Sequence, residues 1–260
     1  MTSPFRLFDT EVLRTRRLTP GMLRLTLGGS DLAGFVNGGL DQRIKFLLPC
    51  PGRTAAVLPD RTPDGWYQAW RQLPDEQRPV LRTYTVRAQR PEAREIDVDV
   101  ALHRPGIASA WVAEARPGDR LGVFGPARPG AGGVEFALPP RAEWVLLWGD
   151  QTALPAIACV LAELPEDFPV RAVVTVPDPA ERQHLATRAR LRLTWRHGGE
   201  GAELLPRGWA EGLEPGAGYA WIAGEAAEIR ALRRELLAEH GFQRPDITFM
   251  GYWRRGHQGG

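Results

Sequence analysis

EWVLLWGDQTALPAIACVLAEL, residues 143–164, decides how the second half of this 260-residue chain is read. EWVLLWGD has the length and apolar content of a buried strand, and TALPAIACVLAEL has the length of an apolar helix. Gly149, directly after the strand, permits the tight turn between them. Either Asp150 or Thr152 is expected to cap the helix, and Pro155 is tolerated in its first turn. The pattern continues along the chain. VRAVVTV reads as a strand, PAERQHLATRA as a polar helix or loop, and LRLTWRH and YAWIAGE as strands. AAEIRALRRELLAEHG reads as a helix with a glycine stop and DITFMGYW as a last strand. Strands alternating with helices predict a parallel, doubly wound α/β sheet.

The first half differs. EVLRTRRLTPGMLRLTLGG carries two alternating runs about Pro20-Gly21, a hairpin signal. QRIKFLLPC, VLRTYTVRA, EIDVDVALH and DRLGVFGP read as further strands, and ASAWVAEARPGD as a short helix closed by Pro117-Gly118. Residues 51–79, with Trp66, Tyr67 and Trp70 among Pro, Gly, Asp and Arg, read as a long ordered loop or a short surface helix. Short strands separated by turns predict a small antiparallel β-barrel. The composition changes at Pro139-Pro140, which divides the chain into domains 1–139 and 140–260.

Composition excludes several classes. A formal net charge of +2 gives no bulk attraction to nucleic acid. No apolar run of about 18 residues exists to span a membrane. MTSPFRLFDTEVLRTRRLTPG has no apolar core of signal-peptide length, so the expected location is cytoplasmic. Cys50 and Cys159 form no CxxC and no zinc or iron–sulfur spacing, which fits a reducing compartment. Monomer is the default state. Lys45 is the sole lysine among 33 basic residues. An arginine bias of this kind needs no function, but a lysine kept against it draws attention.

PVLRTYTVRA, residues 79–88, concentrates unusual chemistry on one strand. Alternation places Arg82, Tyr84 and Val86 on one face and Thr83, Thr85 and Arg87 on the other. Arg82 can fork two hydrogen bonds onto a phosphate, Tyr84 can lay its ring against a flat heterocycle, and Thr85 can bond a ring edge. The same residues would also serve as ordinary cross-strand contacts. Ala108 and Ser109 sit at the start of the following helix, where backbone amides attract phosphate. Ser109 either caps that helix or donates to the phosphate, and His103 reads as a strand-end packing residue.

RTYTVR, HRPGIASAW, RPGD, GDQTALPAI, WIAGEAAEIRALR and GYWRRG together resemble the successive motifs of the siderophore-interacting proteins. These are NAD(P)H-dependent ferric-siderophore reductases of the ferredoxin-reductase-like flavoproteins, and the resemblance runs from about residue 10 to 256. The Arg-x-Tyr-Thr element alone is common to many flavin reductases, whereas the ordered set is far more specific. The resemblance implies an FAD-binding barrel and a second domain that receives NAD(P)H. It assigns Arg82, Tyr84 and Thr85 to the flavin, and His103, Ala108 and Ser109 to the segment along the FAD diphosphate. The Gly149 turn, with Asp150, Thr152 and Ala153, would face the nicotinamide. Glu225 either caps a helix or helps place the nicotinamide, the second being favoured, and Trp253 either packs beside the flavin or covers the core. GxGxxG is absent. Thr175 stands where relatives often carry Glu, so NADH against NADPH is open. The absence of an extra C-terminal helix after GYWRRG leans slightly towards NADPH.

Ferric siderophores are commonly anionic, and Lys45, Arg128 and Arg254 are expected as a basic cluster for the ferric siderophore substrate. Electrons would pass from NAD(P)H through FAD to Fe(III), with no catalytic side chain. Two alternatives remain: a general flavin or ferredoxin-type reductase with another acceptor, and a non-enzymatic siderophore-binding protein.

Overall fold

The computed structural model describes residues 4–59, 65–102, 106–198, 203–214 and 217–256. The chain forms two compact units, one ending at Val134 and the next starting at Glu135. Phe136 packs edge-on against Tyr219, with ring centroids 5.4 Å apart, and the Ala137 N–H donates to the Tyr219 hydroxyl. Both contacts tie the stretch before Pro139-Pro140 to the second unit.

The first unit is a seven-stranded antiparallel sheet. Its strands are β1 (Phe5–Thr19), β2 (Met22–Gly28), β3 (Arg43–Leu48), β4 (Val80–Thr85), β5 (Ala88–Arg90), β6 (Glu95–Ala101) and β7 (Arg120–Pro126). Their order is β4-β3-β7-β1-β2-β6-β5. The two ends of this order, β4 and β5, are consecutive in the chain and joined only by Val86 and Arg87. The Arg87 N–H donates to the Asp97 carbonyl, so the chain itself draws the sheet's edges together into a barrel. The expected single strand VLRTYTVRA is therefore two strands with a bend between them. The reason is that closure needs one strand to leave β3 and join β6.

One interior cluster collects apolar side chains from these strands, among them Phe8, Leu25, Phe46, Val98 and Val123. The helix α2 (Ile107–Glu114) adds Ala108 and Val112 to it. Residues 51–79 contain the short helix α1 (Trp66–Gln72).

The second unit is a five-stranded parallel sheet of β8 (Trp144–Asp150), β9 (Pro169–Val176), β10 (Arg190–His197), β11 (Gly218–Glu225) and β12 (Ile247–Trp253). Its order is β10-β9-β8-β11-β12. The helix α3 (Leu154–Glu163) connects β8 to β9, and α4 (Ala226–Glu239) connects β11 to β12. Trp144, Leu146 and Trp148 of β8 join Ile229, Leu232 and Leu236 of α4 in one cluster. A Cβ at Gly149 would instead meet Ala153 and Ile157 at the start of α3, so β8 is covered on both faces. Residues 179–189, read as a polar helix or loop, contain only the 3-10 turn Pro179–Glu181.

The barrel's outer face carries a ladder of ion pairs. Arg24 and Asp99, and Arg90 and Asp97, are bidentate, while Glu95 accepts from both Arg14 and Arg90. The hydrogen bonds from Arg14 and Arg90 hold the Glu95 carboxyl down to about 2, from an ordinary 4.5. A carboxyl depressed on folding stabilises the fold above its unfolded value, and that contribution is lost as pH falls towards 2. A Glu95→Gln variant is expected to melt below the wild type at pH 7 and together with it near pH 2, measured by circular dichroism.

Candidate functional site

The strand order of the second unit creates a switch point. From β8 the chain moves outward one way through β9 and β10, and then the other way through β11 and β12. In sheets of this kind a ligand binds beyond the carboxyl ends of the two strands that flank the reversal. Those ends are Gly149-Asp150 on β8 and Gly224-Glu225 on β11. The residues singled out in GDQTALPAI and AGEA therefore meet here.

Asp150 organises this end of the sheet. Its Oδ1 accepts from the Thr152 N–H at 2.8 Å and the Thr152 hydroxyl at 2.5 Å. Its Oδ2 accepts from the Glu225 N–H at 3.0 Å and the Trp253 indole N–H at 2.6 Å. One carboxylate thus fastens the ends of β8, β11 and β12. Gly224 has φ +152°, and a Cβ there would lie 2.7 Å from Asp150 Oδ2. Only glycine combines that backbone with that approach.

One expectation about this site changes. Neither Asp150 nor Thr152 caps α3: Ala153 stands at the N-cap without a side-chain bond, and Asp150 instead closes an Asx-type turn one step earlier. Glu225 is the N-cap of α4, its Oε2 accepting from the Ala227 and Glu228 N–H groups at 2.6 and 3.0 Å. Its Oε1 accepts from the Arg255 N–H at 3.2 Å. Burial works against the Glu225 carboxylate, but these backbone donors outweigh it and lower its pKa. Trp253 is half-buried and directs its indole N–H to Asp150. Pro155 sits in the first turn of α3 as expected.

In the first unit, Tyr84 packs on Phe46 with ring centroids 4.8 Å apart, at the margin of the barrel core. Burial pushes its phenol up to about 12, only partly offset by the Arg82 charge. Tyr84 is therefore a hydrogen-bond donor at any ordinary pH. Arg82 donates to the Leu81 carbonyl at 2.7 Å, and Thr85 is buried at the strand end. Ser109 does not cap α2. Gly106 is the N-cap, and the Ser109 hydroxyl reaches the Ala101 carbonyl at 3.5 Å. Ala108 is buried beside it. The first amides of α2 have no partner within a helix, which suits an anion. His103 lies outside the described residues.

Lys45 is exposed on β3 and donates to the Thr83 hydroxyl at 3.3 Å. Burial, and then the charge of Arg43, lower its pKa. Arg43 was not singled out from sequence, although RIK spacing puts it on the same strand face as Lys45. Arg128 is exposed just beyond β7 in the first unit, and Arg254 is exposed just beyond β12 in the second. Among the described residues no His, Cys, Asp and Glu group is arranged to hold a metal ion. No described helix is long and apolar enough to cross a membrane.

An antiparallel barrel with Arg-x-Tyr-Thr, followed by a parallel sheet with a glycine-lined switch point, defines the ferredoxin-reductase class of FAD- and pyridine-nucleotide-binding proteins. Residues 11–130 match the siderophore-interacting FAD-binding domain, and residues 142–256 match the siderophore-interacting protein domain. The chain belongs to the siderophore-interacting protein family. It is 30% identical to the ferric vibriobactin reductase ViuB of Vibrio cholerae, over 96% of this chain and 90% of that one. It is also 30% identical to an NADPH-dependent ferric-chelate reductase of Escherichia coli, over 95% and 93% respectively. The crystal structure of a siderophore utilization protein from T. fusca matches with TM-score 0.79 and 33% identity, over 100% of this chain and 97% of that one.

Replacing Asp150 with Ala removes the acceptor of four buried or half-buried donors and should cost about 1–3 kcal/mol in denaturant unfolding. Trp253→Phe should cost less, and the double variant should show less than the sum, because both remove one bond.

Proposed function

We propose that this chain is a flavin-dependent reductase that passes electrons from NAD(P)H to ferric siderophores and releases Fe(II). The observation that carries this reading is the pairing, in one chain, of the Arg82-x-Tyr84-Thr85 strand with the Gly149/Gly224 switch point. When bound, FAD supplies the conversion of a two-electron hydride into single electrons.

The chain's own residues bind and position. Arg82 offers a permanent guanidinium to the diphosphate, together with the first-turn amides at Ala108 and Ser109. Tyr84, held protonated, and Thr85 bond and pack against the flavin ring. His103 belongs to the same segment by the resemblance. At the switch point, the turn from Gly149 through Asp150 to Thr152 and Ala153 receives the nicotinamide, while the glycines let α3 and the Asp150 carboxylate pack close to the strand ends. Asp150 holds Trp253 and the Glu225 backbone in register around it. Lys45, Arg128 and Arg254 are the residues offered as positive charge for the anionic chelate. Fe(II) is held weakly by hard siderophore oxygens and leaves. The reaction is assigned to the cytoplasm, where NAD(P)H is available.

NADPH is the preferred coenzyme in this reading. A sheet that reads the 2′-hydroxyl of NADH places an acid near the end of its second strand. Here β9 carries Thr175 at that end, paired in register with Arg196 of β10. Asp178, just beyond, is occupied by the Ala180 N–H. The NADPH dependence named for the Escherichia coli relative supports the same choice.

The test is FAD titration combined with optical capture of Fe(II). Arg82→Ala should weaken FAD binding by about tenfold or more, the loss of a charged hydrogen bond. Lys45→Ala should leave flavin reduction by NADPH intact and slow Fe(II) release from a ferric catecholate or hydroxamate. Full FAD occupancy in the first variant, or unchanged Fe(II) release in the second, would remove that residue's role.

A further inference from the structure

The turn at the carboxyl end of β8 is held from two sides. Asp150 ties it to β11 and β12. The next residue, Gln151, reaches the other way. Its Nε2 donates to Glu181 Oε2 at 2.6 Å, and Glu181 closes the 3-10 turn that follows β9. Both side chains are buried, Gln151 at 8% and Glu181 at 5% exposure. A carboxylate can only accept, so the Gln151 amide is locked with its nitrogen towards Glu181.

The segment between β9 and β10 has other fastenings. The Glu181 N–H donates to the Asp178 carbonyl, and the Asp178 carboxylate accepts from the Ala180 N–H at 2.8 Å. Arg182 meets His197, at the end of β10, at 2.6 Å. Leu185 is buried, and the Thr187 hydroxyl donates to the Leu161 carbonyl of α3 at 2.5 Å. A buried carboxylate is a costly addition to these ties, because an apolar side chain of similar volume would hold the segment at least as well. What Glu181 supplies beyond attachment is direction. It orients the Gln151 amide, and through it the turn from Gly149 to Ala153.

We propose that Gln151 and Glu181 are positioning residues for the nicotinamide: their buried bond sets the turn between β8 and α3 against the segment after β9, and so fixes the geometry from which hydride leaves the coenzyme. This rests on the reading of that turn as the nicotinamide's place, and it gives a role to two side chains outside the candidate set. Neither side chain needs to touch the coenzyme; both act through the backbone of the turn.

Anaerobic stopped-flow on the FAD-loaded protein, paired with calorimetric titration of NADP+, tests this. Glu181→Leu should lower the limiting rate of flavin reduction at saturating NADPH by about tenfold and weaken NADP+ by about threefold. Glu181→Gln keeps a carbonyl acceptor for Gln151 and should stay within about twofold of the wild type in both. Gln151→Ala, which opens space for water at Glu181, should match Glu181→Leu and supplies the comparison if that variant does not fold. The double variant should be no slower than either single one, because each removes the same bond. Reoxidation of the dithionite-reduced protein by a ferric catecholate needs no coenzyme and should be unchanged throughout. An unchanged limiting rate in Glu181→Leu or Gln151→Ala, an equal loss in Glu181→Gln, or a parallel loss of reoxidation would overturn the assignment. If the wild type binds NADP+ but NADPH leaves its flavin unreduced, the reductase reading falls. The pair is then judged by NADP+ affinity alone: a threefold loss in the variants upholds it, and an unchanged affinity overturns it.

Discussion

One carboxylate sets the geometry of the coenzyme end of this protein. Asp150 receives four hydrogen bonds, from groups carried by three different parts of the chain. Such a buried acceptor is stable only when its donors are all in place. Its ligation therefore fixes where β8 turns, where β11 ends and where the indole of Trp253 rests. Gly224 exists in that arrangement because no Cβ fits between its backbone and the carboxylate. The small residues Gly149, Ala153 and Gly224 let α3 and the carboxylate pack directly against the strand ends.

The first unit reaches a similar economy through topology. β4 and β5 are neighbours in sequence and opposite ends of the sheet, so the barrel's closure and the Arg82–Thr85 element share one stretch of chain. The bend at Val86 and Arg87 that closes the barrel also ends β4 at Thr85. A flavin held at that strand end would be held by the part of the barrel that closure constrains most. The outer face balances its charges in a ladder of arginines and carboxylates, while Lys45 and Arg43 stand on β3, elsewhere on that outer face.

The sequence made the two architectures legible because apolar runs and their periods are local signals: WVLLWGD followed by TALPAIACV could hardly be read otherwise. The strand order was not legible, since pairing joins residues far apart, as Phe5 with Pro126 or Arg14 with Glu95. The candidate residues were found by motif, but one local role was misjudged. A carboxylate at a strand end was read as a helix cap, although α3 begins only at Leu154 and Asp150 is already engaged. Glu225, read either as a helix cap or as a coenzyme residue, does cap α4, and three backbone donors converge on it. Ser109 looks like a cap in sequence and faces Ala101 in the fold.

The central claim is that electrons arrive in pairs from NADPH and leave singly to iron through a flavin held by the barrel. An anaerobic visible spectrum of the FAD-loaded protein, followed through addition of NADPH and then of a ferric catecholate, tests it most directly. The account predicts that NADPH bleaches the flavin band and that the chelate restores it, with about two Fe(II) formed per NADPH consumed. A band that NADPH bleaches and the chelate cannot restore would contradict the account and leave a reductase for some other acceptor.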